Sequence, residues 1–142
     1  MVELNHRFDT GKDAAHNWDA ILDLDRLIPC VEGGKLIDKE TDEKAKAEIK
    51  VKMGAMSMTF RGTVEVTQRD DATHTAVLAV RSKDTGGSGY ANADVTFDIS
   101  DGGGDINTKA TINGKAASMG EGVVQSVLDA LIKDFTTKLA NI

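Results

Sequence analysis

A chain of 142 residues with 40% hydrophobic content suits one core, so a single domain over 1–142 is expected. Seventeen basic against twenty-three acidic residues give a net charge of −6 with no basic run, which argues against nucleic acid as a partner. The lone Cys30 rules out an intrachain disulfide, the start MVELNHRFD lacks a signal-peptide pattern, and the longest apolar run, AVLAV at 76–80, is far short of the roughly 20 residues a membrane span needs; a cytoplasmic protein with at most peripheral membrane contact is expected.

Val2, Leu4, His6 and Phe8 alternate with Glu3, Asn5, Arg7 and Asp9, the period of a strand that puts His6 on its dry side. Thr10-Gly-Lys-Asp13 resembles a capping box with Asp in place of Glu, and Ala14, Trp18 and Leu22 follow at helical spacing. A second short helical piece, about Leu24 to Ile28, stops at Pro29. Residues 32–40 read as a weak polar strand.

The clearest local signal is at 44–67, where the apolar parity changes once. Up to Met53 the apolar residues are odd (Ala45, Ala47, Ile49, Val51, Met53), and from Met56 they are even (Met56, Met58, Phe60, Gly62, Val64, Val66). A two-residue type II′ turn at Gly54-Ala55 reconciles the two halves. It pairs Met53 with Met56, Val51 with Met58, Ile49 with Phe60 and Ala47 with Gly62 on one face, and Lys52 with Ser57, Lys50 with Thr59 and Glu48 with Arg61 on the other. Every pair agrees in polarity, as a hairpin with one wet and one dry face requires.

Two further strands are expected at 73–82 and 91–99, the second with Ala91, Ala93, Val95, Phe97 and Ile99 inward. A last strand beyond the SDGGGD loop places Ile106, Ala110 and Ile112 inward, with Thr108 a polar intruder among them. From about Ser118 to Ala140 the pattern turns helical, with Val124, Leu128, Leu131, Phe135 and Leu139 in one stripe. The order is one strand, two short helices, six strands and one long helix.

Along nearly the whole chain, the phrases LIPCVEGGKLI (27–37), IKVKMGAMSMTFRGTVEV (49–66), GGSGYANADVTFDI (86–99) and INGKAASMG with the helix after it resemble the CoxG family of carbon monoxide dehydrogenase, a branch of the START/Bet v 1-like helix-grip (SRPBCC) superfamily. The resemblance implies an α+β helix-grip fold: a seven-stranded curved antiparallel sheet wrapped around the long C-terminal helix, with two short helices between the first and second strands. It also implies an internal cavity, because helix-grip proteins commonly hold lipophilic molecules. The partner implied is a molybdenum-containing carbon monoxide dehydrogenase complex, and the cargo is a respiratory quinone such as menaquinone or another isoprenoid lipid, with no tightly bound cofactor.

Several residues are compatible with guest space and equally with a helix lying close on the sheet. The inward positions Ala45, Ala47, Gly62, Ala91, Ala93 and Ala110 are small, so the helix either lies close on them or leaves a gap for water or a guest. Methionine suits walls that must accept a flexible apolar molecule, and Met53, Met56, Met58 and Met119 are expected at one end of the sheet beside the GGSG loop. The candidate ligand-contacting set is His6, Phe8, Trp18, Met53, Met56, Met58, Phe60, Tyr90, Phe97, Met119, Val124 and Leu128. Trp18 and Tyr90 each have an apolar body and one polar handle, and His6 can hydrogen-bond a carbonyl. No catalytic residue is expected: Cys30 has no His nearby in sequence, and no second inward titratable group completes an acid–base pair with His6 or Tyr90. His6, His16, His74 and Cys30 have no metal-ligand spacing. A non-enzymatic carrier is therefore the leading expectation, with a ligand-free assembly or recruitment factor and a cyclase- or hydrolase-type enzyme as the alternatives.

Overall fold

The parity change at 53–56 becomes a hairpin in the computed structural model, which describes Met1–Ile142. Strands β3 (Lys44–Met53) and β4 (Met56–Asp70) pair with Met53 opposite Met56, Val51 opposite Met58, Ile49 opposite Phe60 and Glu48 opposite Arg61, the register read from the sequence. Gly54 has φ of 64° while Ala55 does not enter the left-handed region, as the type II′ turn requires.

The remaining elements are β1 (Val2–Asp9), α1 (Ala14–Leu22), α2 (Leu24–Leu27) running into a 3-10 turn at Ile28–Cys30, β2 (Gly34–Thr41), β5 (Thr75–Asp84), β6 (Tyr90–Ser100), β7 (Gly103–Ile112), a second 3-10 turn at Ala117–Met119, and α3 (Glu121–Leu139). All seven strands join one antiparallel sheet in the order β1-β7-β6-β5-β4-β3-β2, so the first strand pairs with the last. With α3 across the concave face, this is the helix-grip architecture expected.

Two local expectations are corrected. The cap of α1 is Asp13, whose side chain accepts from the His16 N–H, and the buried face is Asn17, Trp18, Ala20 and Ile21 rather than Ala14, Trp18 and Leu22. The Thr10 oxygen accepts instead from the Lys12 N–H at 3.1 Å, ahead of the helix, while its hydroxyl donates to Asn17 Oδ1 at 2.7 Å. The last helix starts at Glu121 rather than Ser118, because Gly120 takes φ of 96°, outside helical space, and ends the 3-10 turn before it.

The sheet bends where side chains are small. A Cβ on Gly62 would lie 1.9 Å from the Arg81 carbonyl oxygen, so backbone of β5 occupies the space a side chain would need. A bulge between Val66 and Gln68 bends β4 again and shifts its register against β5.

Apolar burial falls into two clusters rather than one core. Fifteen buried residues, including Phe8, Trp18, Ile21, Leu24, Phe97, Phe135 and Leu139, gather at the end covered by α1 and α2. Seven (Val2, Val51, Met53, Met58, Phe60, Ala116 and Val124) gather at the end of the β3–β4 hairpin.

Candidate ligand-binding site

Between the clusters, the inward residues Ile49, Val64, Val80, Val95, Leu128 and Leu131 are apolar yet only partly buried. Side chains at the middle of a small domain are ordinarily its best covered. Here they face open space. Helix α3 packs mainly on β1 and touches β3 little, so its middle turns stand away from the centre of the sheet, where Ala47, Gly62, Ala91, Ala93 and Ala110 cannot reach it.

The space is branched and dry. Its main chamber, about 220 Å³, is lined by fifteen residues of which fourteen are hydrophobic, Thr108 being the exception. A second lobe of about 130 Å³ shares Ile49, Val80, Leu128 and Leu131 with the chamber and extends to Met53, Phe60, Ala91, Ala93 and Ala110. A third of about 140 Å³ runs past Ala47 and Gly62 under β3 and β4. At about 24 cal/mol per Å³, leaving the main chamber empty forgoes about 5 kcal/mol of packing, comparable to the roughly 5–15 kcal/mol that holds a domain folded.

A wetter groove of about 670 Å³ lies where the sheet edge opens. Pairing of β2 with β3 begins at Gly34 and Ile49, so β3 from Lys50 to Met53 has no strand on its outer side. Glu32, Lys50 and Lys52 rim this groove, and its apolar members Val51, Val127 and Leu131 also line the 130 Å³ lobe.

The candidate residues from the sequence divide. Phe97 and Leu128 line the main chamber, Met53 and Phe60 line the lobe toward the hairpin, and Met58 lines the outer groove. Met56, Met119 and Val124 pack in or against the hairpin-end cluster; the Met119 methyl lies 3.5 Å from where a Gly54 Cβ would stand. The methionines thus close that end, while Met53 also lines the inner lobe and Met58 the outer groove.

Four candidates stand away from the cavity walls. Phe8 is sealed in the α1-end cluster. Trp18 belongs to the same cluster; its Nε1–H donates to Asp71 Oδ1 at 2.9 Å and its ring stacks on His74 at 5.2 Å. Tyr90 corrects a sequence expectation: Ala91 faces inward, so by strand alternation Tyr90 lies on the convex face, beside Arg81 and Lys109. His6 does face inward, but its Nε2 lies 2.7 Å from Asp129 Oδ1 on α3, and it is absent from the cavity walls.

Asp129 was not legible as a partner, since it lies off the apolar stripe, one position beyond Leu128. Lys133 Nζ at 2.9 Å and then the His6 hydrogen bond hold its carboxyl below the usual carboxylate range, so it accepts the His6 Nε2–H. Burial pushes the Cys30 thiol up, against the opposing charge of Lys138, and its Sγ–H donates to the Arg26 carbonyl. A raised thiol pKa disfavours the thiolate a nucleophile needs. No group of three or more His, Cys, Asp or Glu residues is placed to hold a metal ion, and no helix is long and apolar enough to cross a membrane.

The family model for CoxG, the G component of carbon monoxide dehydrogenase, matches residues 7–141. The chain belongs to that family. Among curated protein sequences none matches significantly. Solved structures agree on the fold: a conserved protein from Geobacillus kaustophilus (23% identity, TM-score 0.82, 99% of this chain and 93% of that one), the Zhui aromatase/cyclase from Streptomyces sp. R1128 (11%, 0.64, 99% and 92%), and Ara h 8.0201 (15%, 0.55, 99% and 95%). At these identities they speak to architecture alone.

Proposed function

We propose that this CoxG family member carries one lipophilic molecule in the dry space beneath α3 and serves a carbon monoxide dehydrogenase. The reading rests on one observation: an apolar gap lies where a closed protein would have its best-packed core. The favoured cargo is a respiratory quinone such as menaquinone, which accepts electrons from a molybdenum-containing dehydrogenase and must pass between membrane and enzyme. Peripheral contact with the inner face of the cytoplasmic membrane is part of this reading.

Burial of an isoprenoid chain at roughly 25 cal/mol per Å² supplies affinity without charge. Ligand sites for drug-sized molecules span about 300–1,000 Å³, so the 220 Å³ chamber takes only part of a long-chain quinone. The rest would lie in the adjoining lobes and along the groove beside β3. The protein acts as carrier rather than enzyme: its one inward acid–base pair, His6 with Asp129, is engaged with itself and off the cavity wall.

Organic extraction of protein purified from its native host, followed by mass spectrometry, tests this reading. A quinone or isoprenoid lipid in roughly equimolar amount is the expected result. An extract free of lipophilic molecules, together with no thermal shift on adding a menaquinone analogue, would overturn it in favour of a ligand-free assembly factor.

A further inference from the structure

Charge is unevenly placed along the sheet. The turns at the α1 end carry Asp42, Glu43, Asp70, Asp71 and Asp101, where Arg69 is already bound by Glu43 and Asp71. The hairpin end is the reverse. Its three connecting segments meet there: the Met119 methyl lies 3.5 Å from where a Gly54 Cβ would stand, and the Lys115 N–H donates to the Ser88 carbonyl. With the strand ends beside them they present Lys50, Lys52, Lys83 and Lys115, all exposed and none in an ion pair. The acids there are Glu121 and Asp84, and Asp84 is turned into its own loop to accept from the Gly86 N–H and the Ser88 hydroxyl. A chain of net charge −6 thus has one positive end, and charges of opposite sign at opposite ends orient a molecule in an external field.

Apolar surface is exposed at the same place. Beyond the first residue three large hydrophobic side chains are exposed, and two of them, Val123 (41%) and Tyr90 (36%), border this end. Ala55 and Ala117 are exposed between the lysines. Lysine is a flexible point charge without the fixed fork that arginine offers a single carboxylate, so four unpaired lysines around small apolar groups suit a diffuse anionic surface. Tyrosine is at home where headgroups meet acyl chains.

We propose that the hairpin end docks on an anionic lipid bilayer, with its lysines on the headgroups, Ala55, Tyr90 and Val123 at their level, and the acidic end turned to water. The inference rests on the carrier reading and deepens it. The lobe lined by Met53, Ala91 and Ala116 ends behind this surface, and the groove rimmed by Lys50 and Lys52 comes beside the lipid, so a guest enters without crossing bulk water.

Flotation with two kinds of quinone-free vesicle tests it: pure phosphatidylcholine, and phosphatidylcholine with about one-third phosphatidylglycerol. Wild type is expected on the anionic vesicles alone and to leave them at about 0.5 M salt. Lys50→Gln/Lys52→Gln/Lys115→Gln should bind at least about tenfold more weakly, since each lysine at such a surface is worth roughly fivefold. Lys35→Gln/Lys46→Gln/Lys109→Gln makes the same charge change at exposed lysines farther along the sheet and should lose at most about threefold. Ala55→Trp should shift its emission to the blue on anionic vesicles, against a constant background from the buried Trp18. A wild type that ignores anionic vesicles, equal losses in the two triple variants, or an Ala55→Trp emission that does not move would each overturn the docking face. Because these vesicles carry no guest, such results leave the carrier reading standing, to be decided by the organic extraction.

Discussion

The end of the sheet under α1 and the end at the β3–β4 hairpin are both apolar, yet different means hold them. Under α1, aromatic packing is joined to polar anchors. Asn17, 1% exposed, accepts from Thr10 and donates to the carbonyls of Lys12 and Ser100, and the Trp18 indole is tied to Asp71. Each of these groups has a direction as well as a position, so the end has essentially one arrangement. At the hairpin the closing contacts are Met53, Met58, Phe60, Ala116 and Val124, with Met56 and Met119 packed on them, side chains that adapt to more than one neighbour. One end specifies the fold, while the other closes it loosely beside the guest space.

The largest expected effect breaks the firm end. Phe97 is 1% exposed and meets Phe135 edge-on at 6.4 Å, so Phe97→Ala should cost about 3–5 kcal/mol of stability by chemical denaturation. A cost under about 1 kcal/mol would mean that the firm end is also soft.

The middle gives the next effect, and its sign decides the matter. Ala93 lines the 130 Å³ lobe; Ala93→Leu should be neutral or stabilising in the free protein and abolish the thermal shift from a quinone analogue. In wild type that shift is about 2.7 kcal/mol at 100 times the dissociation constant. A loss of roughly 1–3 kcal/mol in the free protein would instead indicate overpacking of a closed core.

The hairpin end should be more forgiving. Met58→Leu conserves volume and should cost less than about 1.5 kcal/mol, and amides of 51–58 should exchange with deuterium sooner than those of β1 near Phe8. Equal protection at the two ends would erase the contrast.

The smallest effect is a pH dependence at the firm end. Arg69 first, and then the Trp18 hydrogen bond, hold the Asp71 carboxyl below the usual carboxylate range. A carboxyl lowered in the folded state adds stability above its ordinary pKa, and that stability is lost as pH falls through the folded value. Asp71→Asn should therefore flatten the fall in melting temperature below about pH 4. An unchanged acid limb would show that Asp71 carries none of it.

The sequence alone determined the hairpin from Lys44 to Val66, with its turn, register and dry face, because side-chain alternation and a glycine turn are local properties that any packing must respect. It also determined the order of elements and which residues face inward on β1, β6 and β7. Local pattern says which way a side chain points. It does not say how far away the opposing surface lies. That Leu128 and Leu131 face open space while Leu139, on the same stripe, is sealed depends on where α3 crosses the sheet, a distance set by packing on β1. The pairing of His6 with Asp129, across 123 positions of sequence, came into view only with the tertiary structure, since a hydrogen bond between distant segments leaves no periodic trace in either one.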